Sequence, residues 1–277
     1  MSPAAAGFGA DLARRVATAA VALPALAAAL FLGPPALFVA IAAFSLLLGL
    51  RELFALARAR GLAPLKPAGL LVTAAAFVEV AYPHWPLPPL LPAAVLLVAA
   101  AALRRGGDLG TAVASAAVTF FGAAYLGGLG GTIAALRVLE PAKDGAWRVV
   151  LLLAVIMVAD TFALFAGRAL GRRRLAAAIS PDKTVEGAIG GLLGGVVAAL
   201  VVRRLGLPAL PLRDAVALGL LVSGAGTVGD LFESLLKRWA GVKDSGALFP
   251  GHGGMLDRLD SLLFGGPVLY YYFFCAR

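Results

Sequence analysis

A succession of long apolar runs constrains this chain more than any other feature. The runs lie at about 16–32, 36–50, 67–82, 88–103, 109–136, 149–167, 185–202, 214–236 and 259–274. A lipid bilayer offers the backbone no hydrogen bonds, so only helices or closed barrels span it. The runs do not alternate polar and apolar residues, which selects helices. The sequence predicts an all-α, polytopic integral membrane protein with about nine transmembrane helices.

The composition agrees with that prediction. The 277 residues are 61% hydrophobic and 14% charged, whereas soluble domains are about 45–50% apolar and about 25% charged. The single cysteine, Cys275, excludes an internal disulfide. A net charge of +9 could indicate nucleic-acid binding, but basic loops on the cytoplasmic side of a membrane protein explain it more simply. We therefore expect no nucleic-acid partner.

The distribution of basic residues predicts the orientation. If the N-terminus lies in the cytoplasm, 17 of the 24 lysines and arginines fall on the cytoplasmic side. This asymmetry is typical of membrane proteins. We expect a multi-pass protein of the inner (plasma) membrane. The polar loops after the sixth and eighth runs would then face the cytoplasm, where nucleotides are found.

Polar residues divide the chain into two regions. Residues 1–146 are predicted to form about five transmembrane helices, and 147–277 to form a catalytic transmembrane region that carries the polar motifs. Five of the 15 acidic residues lie in one short stretch of this second region: Asp230, Glu233, Asp244, Asp257 and Asp260. So many charges between two apolar segments of a membrane protein indicate a functional site.

The spacing of these charges suggests a metal site. Four polar side chains share one helix face at the end of the eighth run: Asp230, Glu233, Ser234 and Lys237. An ordinary solvated salt-bridge stripe would have the same spacing. The ninth run opens with Asp257 and Asp260. Carboxylates from two helix ends can hold a hard cation, and the lack of nearby cysteines favours Mg²⁺ over Zn²⁺.

Basic residues near these carboxylates could neutralise phosphates. They are Lys183, Lys237, Arg238, Lys243 and Arg258. We expect Ser180 to be a helix N-cap and Pro181 the first helical residue, which would place Lys183 in a first turn that binds anions. His252, in a glycine-rich turn, is either a proton shuttle, a phosphate donor or structural. Asp160, inside the sixth run, either lines the site or pairs helices.

The motifs of other enzyme classes are missing. The sequence has no glycine-rich phosphate loop ending in Gly-Lys-Ser/Thr and no protein-kinase motif set. It also lacks a nucleophile elbow, a CxxC pair and an HExxH zinc motif. These absences leave a carboxylate, metal and phosphate chemistry within the membrane as the remaining interpretation.

One long motif runs through the polar stretch of the second region: Ser234-x-x-Lys237-Arg238-x4-Lys243-Asp244-x-Gly246-x3-Phe249-Pro250-Gly251-His252-Gly253-Gly254-x-x-Asp257-Arg258-x-Asp260. It resembles the signature of the phosphatidate cytidylyltransferases, also called CDP-diacylglycerol synthases. A second motif of that family resembles Ser180-Pro181-x-Lys183-Thr184-x-Glu186-Gly187. Asp182 and Val185 stand where the family often has lysine and tryptophan, so they receive no role. The motifs cover about the last 120 residues.

The resemblance implies a reaction and a set of site residues. Phosphatidic acid and CTP would give CDP-diacylglycerol and pyrophosphate at the bilayer surface, with Mg²⁺ as cofactor, room for a second cation, and a homodimeric enzyme. Asp230, Asp257 and then Asp260 are the expected metal ligands. The expected catalytic residues are Asp230, Lys237, Asp257, Arg258 and Asp260. The expected substrate-binding residues are Lys183, Glu186, Ser234, Arg238, Lys243, Asp244 and His252.

Two other functions stay open at this point. Another CTP-dependent membrane enzyme, such as a polyprenol kinase or an archaeal-type lipid cytidylyltransferase, would need similar groups. A cation or metabolite transporter could use Asp160 and Asp230 along an ion path. Transporters often consist of repeated halves, and this sequence has no internal repeat, which disfavours that alternative.

Overall fold

The structure is a computed structural model that describes residues 20, 24–83, 90–104, 108–246 and 253–275. It is mostly helical. A helical stretch over 24–31 precedes the main elements. The helices are α1 (Pro35–Ala59), α2 (Lys66–Ala81), α3 (Leu90–Leu103), α4 (Leu109–Gly122), α5 (Gly130–Val138), α6 (Gly145–Leu170), α7 (Val185–Gly206), α8 (Leu212–Ala240) and α9 (Leu256–Cys275).

Within the described residues, five helical segments are long and apolar enough to cross a membrane, which indicates an integral membrane protein. They are Pro35–Ala59, Leu109–Val138, Ala142–Leu170, Val185–Gly206 and Leu212–Ala240. Helices lie over all nine predicted runs, although the first run is described only in part. The number of nine spans stays a prediction, as does the division of the chain at residue 146.

The glycine-rich fifth run is one continuous helical segment with an irregular middle. A π-helical stretch, Ala123–Leu129, joins α4 to α5. Close packing explains the glycines around it, since a Cβ at Gly131 would lie 2.8 Å from the Cβ of Val80 on α2. The run therefore forms a single helical segment that packs closely against its neighbour α2.

A small antiparallel hairpin interrupts the helices between α6 and α7. It consists of β1 (Arg174–Ala176) and β2 (Ser180–Thr184), in which Arg174 pairs with Thr184. The prediction of an all-α fold is wrong here. The strands have only three and five residues and are mainly polar, so they show neither the length nor the apolar alternation that reveals a strand in a sequence.

The predicted helix start at Ser180 and Pro181 is also wrong. Both residues belong to β2, and helix α7 begins at Val185. Its N-cap is Thr184, whose side-chain oxygen accepts a hydrogen bond from the N–H of Gly187 at 3.1 Å. Lys183 therefore lies at the end of a strand and not in the first turn of a helix.

Helices α6 to α9 pack closely because small residues line their contacts. Helix α7 lies along α6 and α8, and α8 lies along α9. A Cβ at Gly191 would be 3.2 Å from the carbonyl oxygen of Ala159 on α6. One at Gly195 would be 2.7 Å from the carbonyl oxygen of Gly219 on α8. Such small-residue faces allow helices to approach closely in lipid.

Helix α9 joins the two main parts of the apolar core. Its first half, with Leu256, Leu259 and Leu263, packs with residues of α1 and the π-helical stretch. Its second half, with Leu269 and Tyr270, packs with residues of α6, α7 and α8. The polar residues of its first turns are thereby held where α1, α8 and α9 meet.

Candidate active site

A lysine and an aspartate link the ends of α8 and α9. The Nζ of Lys237 lies 2.7 Å from Oδ1 of Asp257. The other oxygen of Asp257 accepts hydrogen bonds from the N–H of Gly254 at 2.7 Å, and from the hydroxyl and N–H of Ser245 at 2.9 and 3.2 Å. These donors favour the ionised carboxylate. Asp257 is therefore a fixed anion between two helix ends.

Glu233 is a completely buried acid beside this pair. Lys237 Nζ lies 3.6 Å from its Oε2. Among the described residues, neither oxygen of Glu233 has a hydrogen-bond donor. Its contact with Asp260 joins two carboxyl groups, so it is a hydrogen bond only when the two groups share a proton. An acid in this setting requires a proton or a further positive charge.

A second lysine–aspartate pair joins the hairpin to α8. Lys183, near the end of β2, forms a salt bridge with Asp230. Arg238 supports the same junction, because its Nε donates to the carbonyl oxygen of Ile179 at 3.3 Å. Glu186 holds the hairpin from the other side and accepts the N–H groups of Arg172 and Arg173 at 3.0 and 3.2 Å. Both residues position the hairpin.

A cavity with a volume of about 840 Å³ opens beside the Lys183–Asp230 pair. Asp160 on α6 lines this cavity. This agrees with one of the two roles that the sequence left open for Asp160, which were lining the site and pairing helices. Three arginines that the sequence reasoning had not selected also line it: Arg168, Arg172 and Arg174. With Lys183, the cavity wall carries four cationic side chains and three acids, Asp160, Asp182 and Asp230. The excess of positive charge suits an anionic ligand.

A smaller cavity, of about 520 Å³, lies between α1 and α2. Ser245 and Glu52 separate it from Asp257. Its walls combine apolar side chains such as Leu48, Phe54 and Leu70 with three cations: Arg51, Arg58 and Lys66. The carboxylate cluster thus runs from one cavity to the other.

The remaining predicted residues lie at the margin of this cluster. Lys243, Asp244 and Arg258 are exposed, and Ser234 is half-buried one residue after Glu233. His252 and His84 are outside the described residues. The structure brings together Lys183, Asp230, Lys237, Asp257 and Asp260.

Sequence reasoning missed Glu52 and Ser245. Glu52 is an ionisable residue at the end of a predicted span, which is a usable signal for function. Its contact with Ser245 crosses 193 positions, however, and no local pattern reveals such a pairing. Ser245 falls inside the long motif as an unassigned position.

The cluster contains carboxylate oxygens that could bind a hard cation, but its lysines occupy part of it. Carboxylates outnumber ammonium groups, and the oxygens of the buried Glu233 have no donor among the described residues. Hard oxygen ligands of this kind suit Mg²⁺. Within the described ranges, no three acids or histidines converge as a ready ligand set, since Asp230 and Asp257 each face a lysine.

Comparison with known families identifies the chain. The model of the cytidylyltransferase family matches residues 13–276, nearly the whole sequence. The chain belongs to the cytidylyltransferase family. The match includes α1 with Glu52 as well as both motif regions, so the two halves of the chain belong to one family unit.

Several curated relatives match about half of this chain. A phosphatidate cytidylyltransferase of Thermotoga maritima is 45% identical over 47% of this chain and 50% of its own length. One of Bacillus subtilis is 46% identical over 42% of this chain and 44% of its own length. An Escherichia coli protein named "Uncharacterized protein YnbB" is 44% identical over 47% and 43%. The chain thus spans half or less of the length of these relatives.

Proposed function

We propose that this protein is a phosphatidate cytidylyltransferase, which transfers CMP from CTP to phosphatidic acid and releases pyrophosphate. Two salt bridges, Lys183–Asp230 and Lys237–Asp257, carry the proposal. They lie between the larger cavity, which is polar and cationic, and the smaller cavity, which is apolar with three cations. Such a site suits a soluble polyanion on one side and an anionic lipid on the other. The names of the relatives support the same reaction.

The larger cavity would take the triphosphate. Lys183 and the arginines of the cavity wall would neutralise phosphate charge and orient CTP. In the reaction, an oxygen of the lipid phosphate forms a bond to the α-phosphorus of CTP, and the bond from that phosphorus to the bridging oxygen of the β-phosphate breaks. Pyrophosphate leaves with that bridging oxygen. The attacking phosphate is already ionised, so positioning and charge neutralisation matter more than a strong base.

The smaller cavity would take the lipid. Its three cations match a phosphate head, and its apolar walls match the start of the acyl chains. Lys237 would stand between the two phosphates, because it reaches both Asp257 and Glu233.

Magnesium is part of the proposal. Asp230, Asp257 and Asp260 would hold the ion, in place of the lysines that contact Asp230 and Asp257 in this structure, and Mg²⁺ would supply charge neutralisation for phosphate oxygens when bound. Activity is expected to disappear in excess EDTA and to return when Mg²⁺ is added. Turnover that continues unchanged in excess EDTA would contradict a role for Mg²⁺.

The position of a radiolabel in CTP tests the reaction. Purified protein is incubated with phosphatidic acid and CTP labelled at either the α- or the γ-phosphate. The proposal predicts that α-label enters the lipid and γ-label leaves as pyrophosphate. γ-Label in the lipid would instead identify a lipid kinase. α-Label that enters an archaeal-type lipid but not phosphatidic acid would assign a different lipid cytidylyltransferase.

A further inference from the structure

Glu52 is an acid of α1 that contacts the backbone of the candidate site. Its Oε1 accepts the N–H of Met255 at 2.9 Å, and its Oε2 accepts the N–H of Leu256 at 2.7 Å. Oε2 also accepts the hydroxyl of Ser245 at 3.0 Å. One side chain from near the start of the chain thus binds the loop before α9 and the first residue of that helix.

These contacts fix the beginning of α9. The first N–H groups of a helix have no partner within the helix and carry partial positive charge. Glu52 supplies the acceptor and the opposite charge from a neighbouring helix. Asp257 follows Leu256 directly, so whatever holds the first turn also sets the direction of the Asp257 side chain.

Ser245 connects the two acids. Its hydroxyl lies 3.0 Å from Oε2 of Glu52 and 2.9 Å from Oδ2 of Asp257. A hydroxyl has one proton, so it donates to one carboxylate at a time. A change at Glu52 therefore alters the hydrogen bonding of Asp257 through a single shared atom.

Two glycines of the long motif leave room for Glu52. A Cβ at Gly246 would lie 2.6 Å from Oε1 of Glu52. A Cβ at Gly254 would meet Oε2 of Glu52 and the hydroxyl oxygen of Ser245. The close approach of Glu52 to this backbone thus accounts for glycine at both positions.

We propose that Glu52 is a positioning residue for the reaction, a role that rests on the proposed function. It holds the start of α9 and, through Ser245, orients Asp257 towards Lys237. It acts through these residues without contact with the nucleotide.

Kinetics and hydrogen exchange of Glu52→Gln test this role, with Glu79→Gln as the matched control because Glu79 is an exposed acid of α2. A glutamine amide in place of the Glu52 carboxylate cannot accept all three hydrogen bonds. We expect a kcat about 10- to 100-fold lower, KM for CTP within about twofold of wild type, and faster backbone exchange in the peptide that covers 253–258. The control should change none of these.

A double-mutant cycle with Ser245→Ala separates positioning from folding, and Ser245→Ala serves alone if Glu52→Gln does not fold. If Glu52 acts through Ser245, the double variant loses less kcat than the product of the single losses. Three results would overturn the role of Glu52. The losses of kcat in the two single variants could multiply in the double variant. Glu52→Gln could keep a normal kcat despite faster backbone exchange at 253–258, or it could leave that exchange unchanged. A wild-type protein that forms no lipid product would refute the proposed function, while the exchange measurement still tests the hold of Glu52 on α9.

Discussion

Gly253 and Gly254 show how little space surrounds the Asp257 carboxylate. Gly253 has a φ of 75°, in the left-handed region that favours glycine. A Cβ on this residue would lie 2.6 Å from Oδ2 of Asp257. The backbone here lies against the carboxylates of two helices, so each added atom would displace one of these side chains.

Gly254→Ala is expected to lower kcat by about 100-fold or more, because the added methyl group displaces Glu52 or Ser245. The melting temperature should fall as well, since overpacking a tight site costs about 1–3 kcal/mol. Steady-state kinetics and thermal unfolding in detergent measure both effects. Gly128→Ala is the matched control, because a Cβ there has no atom within 4 Å. A Gly254→Ala protein with wild-type kcat would show that the site accommodates a methyl group beside Glu52 and Ser245 without loss of function.

The acids of the site could be identified from the sequence, whereas the residues that contact them or line the cavities could not. Asp230 and Lys237 share a helix face, and Asp257 and Asp260 open the next helix, so spacing alone brings them together. Glu52 could not be assigned, because its partners are about 200 positions away and its contacts are to backbone atoms that any residue offers. Arg172 and Arg174 could not be placed in a cavity wall before the hairpin was known.

At the scale of the elements, the hairpin β1–β2 forms one wall of the larger cavity. Lys183 carries its positive charge to Asp230 on α8, while Glu186 and Arg238 tie both ends of the hairpin to helices. The hairpin therefore presents a cation at a fixed place beside the acids.

Lys183→Ala is expected to raise KM for CTP about tenfold, because it removes a charge-assisted contact worth about 1.5–3 kcal/mol. KM for phosphatidic acid should change less. Substrate-saturation curves in mixed micelles measure both values. Lys143→Ala, an exposed lysine of the 3₁₀ turn Ala142–Asp144, should leave both constants unchanged. Unchanged saturation by CTP in Lys183→Ala would take Lys183 out of the nucleotide site.

The helices were predictable and the hairpin was not, for a physical reason. Apolar runs of about 20 residues are needed to cross lipid whatever the tertiary structure, so their positions can be inferred locally. A five-residue strand with four polar residues gains its stability from pairing and from side chains such as Glu186. Thr184 also competes with Ser180 as the cap of α7, and only the packed structure shows which of the two is used.

In the whole molecule, the hairpin and both cavities must face the cytoplasm if CTP is to enter the proposed site. Cysteine labelling tests this orientation in a Cys275→Ser background. We expect a membrane-impermeant maleimide to label Lys143→Cys in intact cells, since the turn before α6 would face outward, and to label Asp182→Cys only after permeabilisation. Both positions are exposed in the structure. The reverse pattern would put the site on the wrong side for CTP.

The proposed function places the transfer of a nucleotide to a lipid phosphate at the acids at the ends of α8 and α9. Mass spectrometry of the lipids formed from CTP and phosphatidic acid tests it most directly, with wild-type protein beside Asp257→Asn and the control Asp108→Asn, which keeps its cap on α4. We predict CDP-diacylglycerol from wild type and from Asp108→Asn, and about 100-fold less from a folded Asp257→Asn. Equal product from all three proteins, or none from wild type, would contradict the claim.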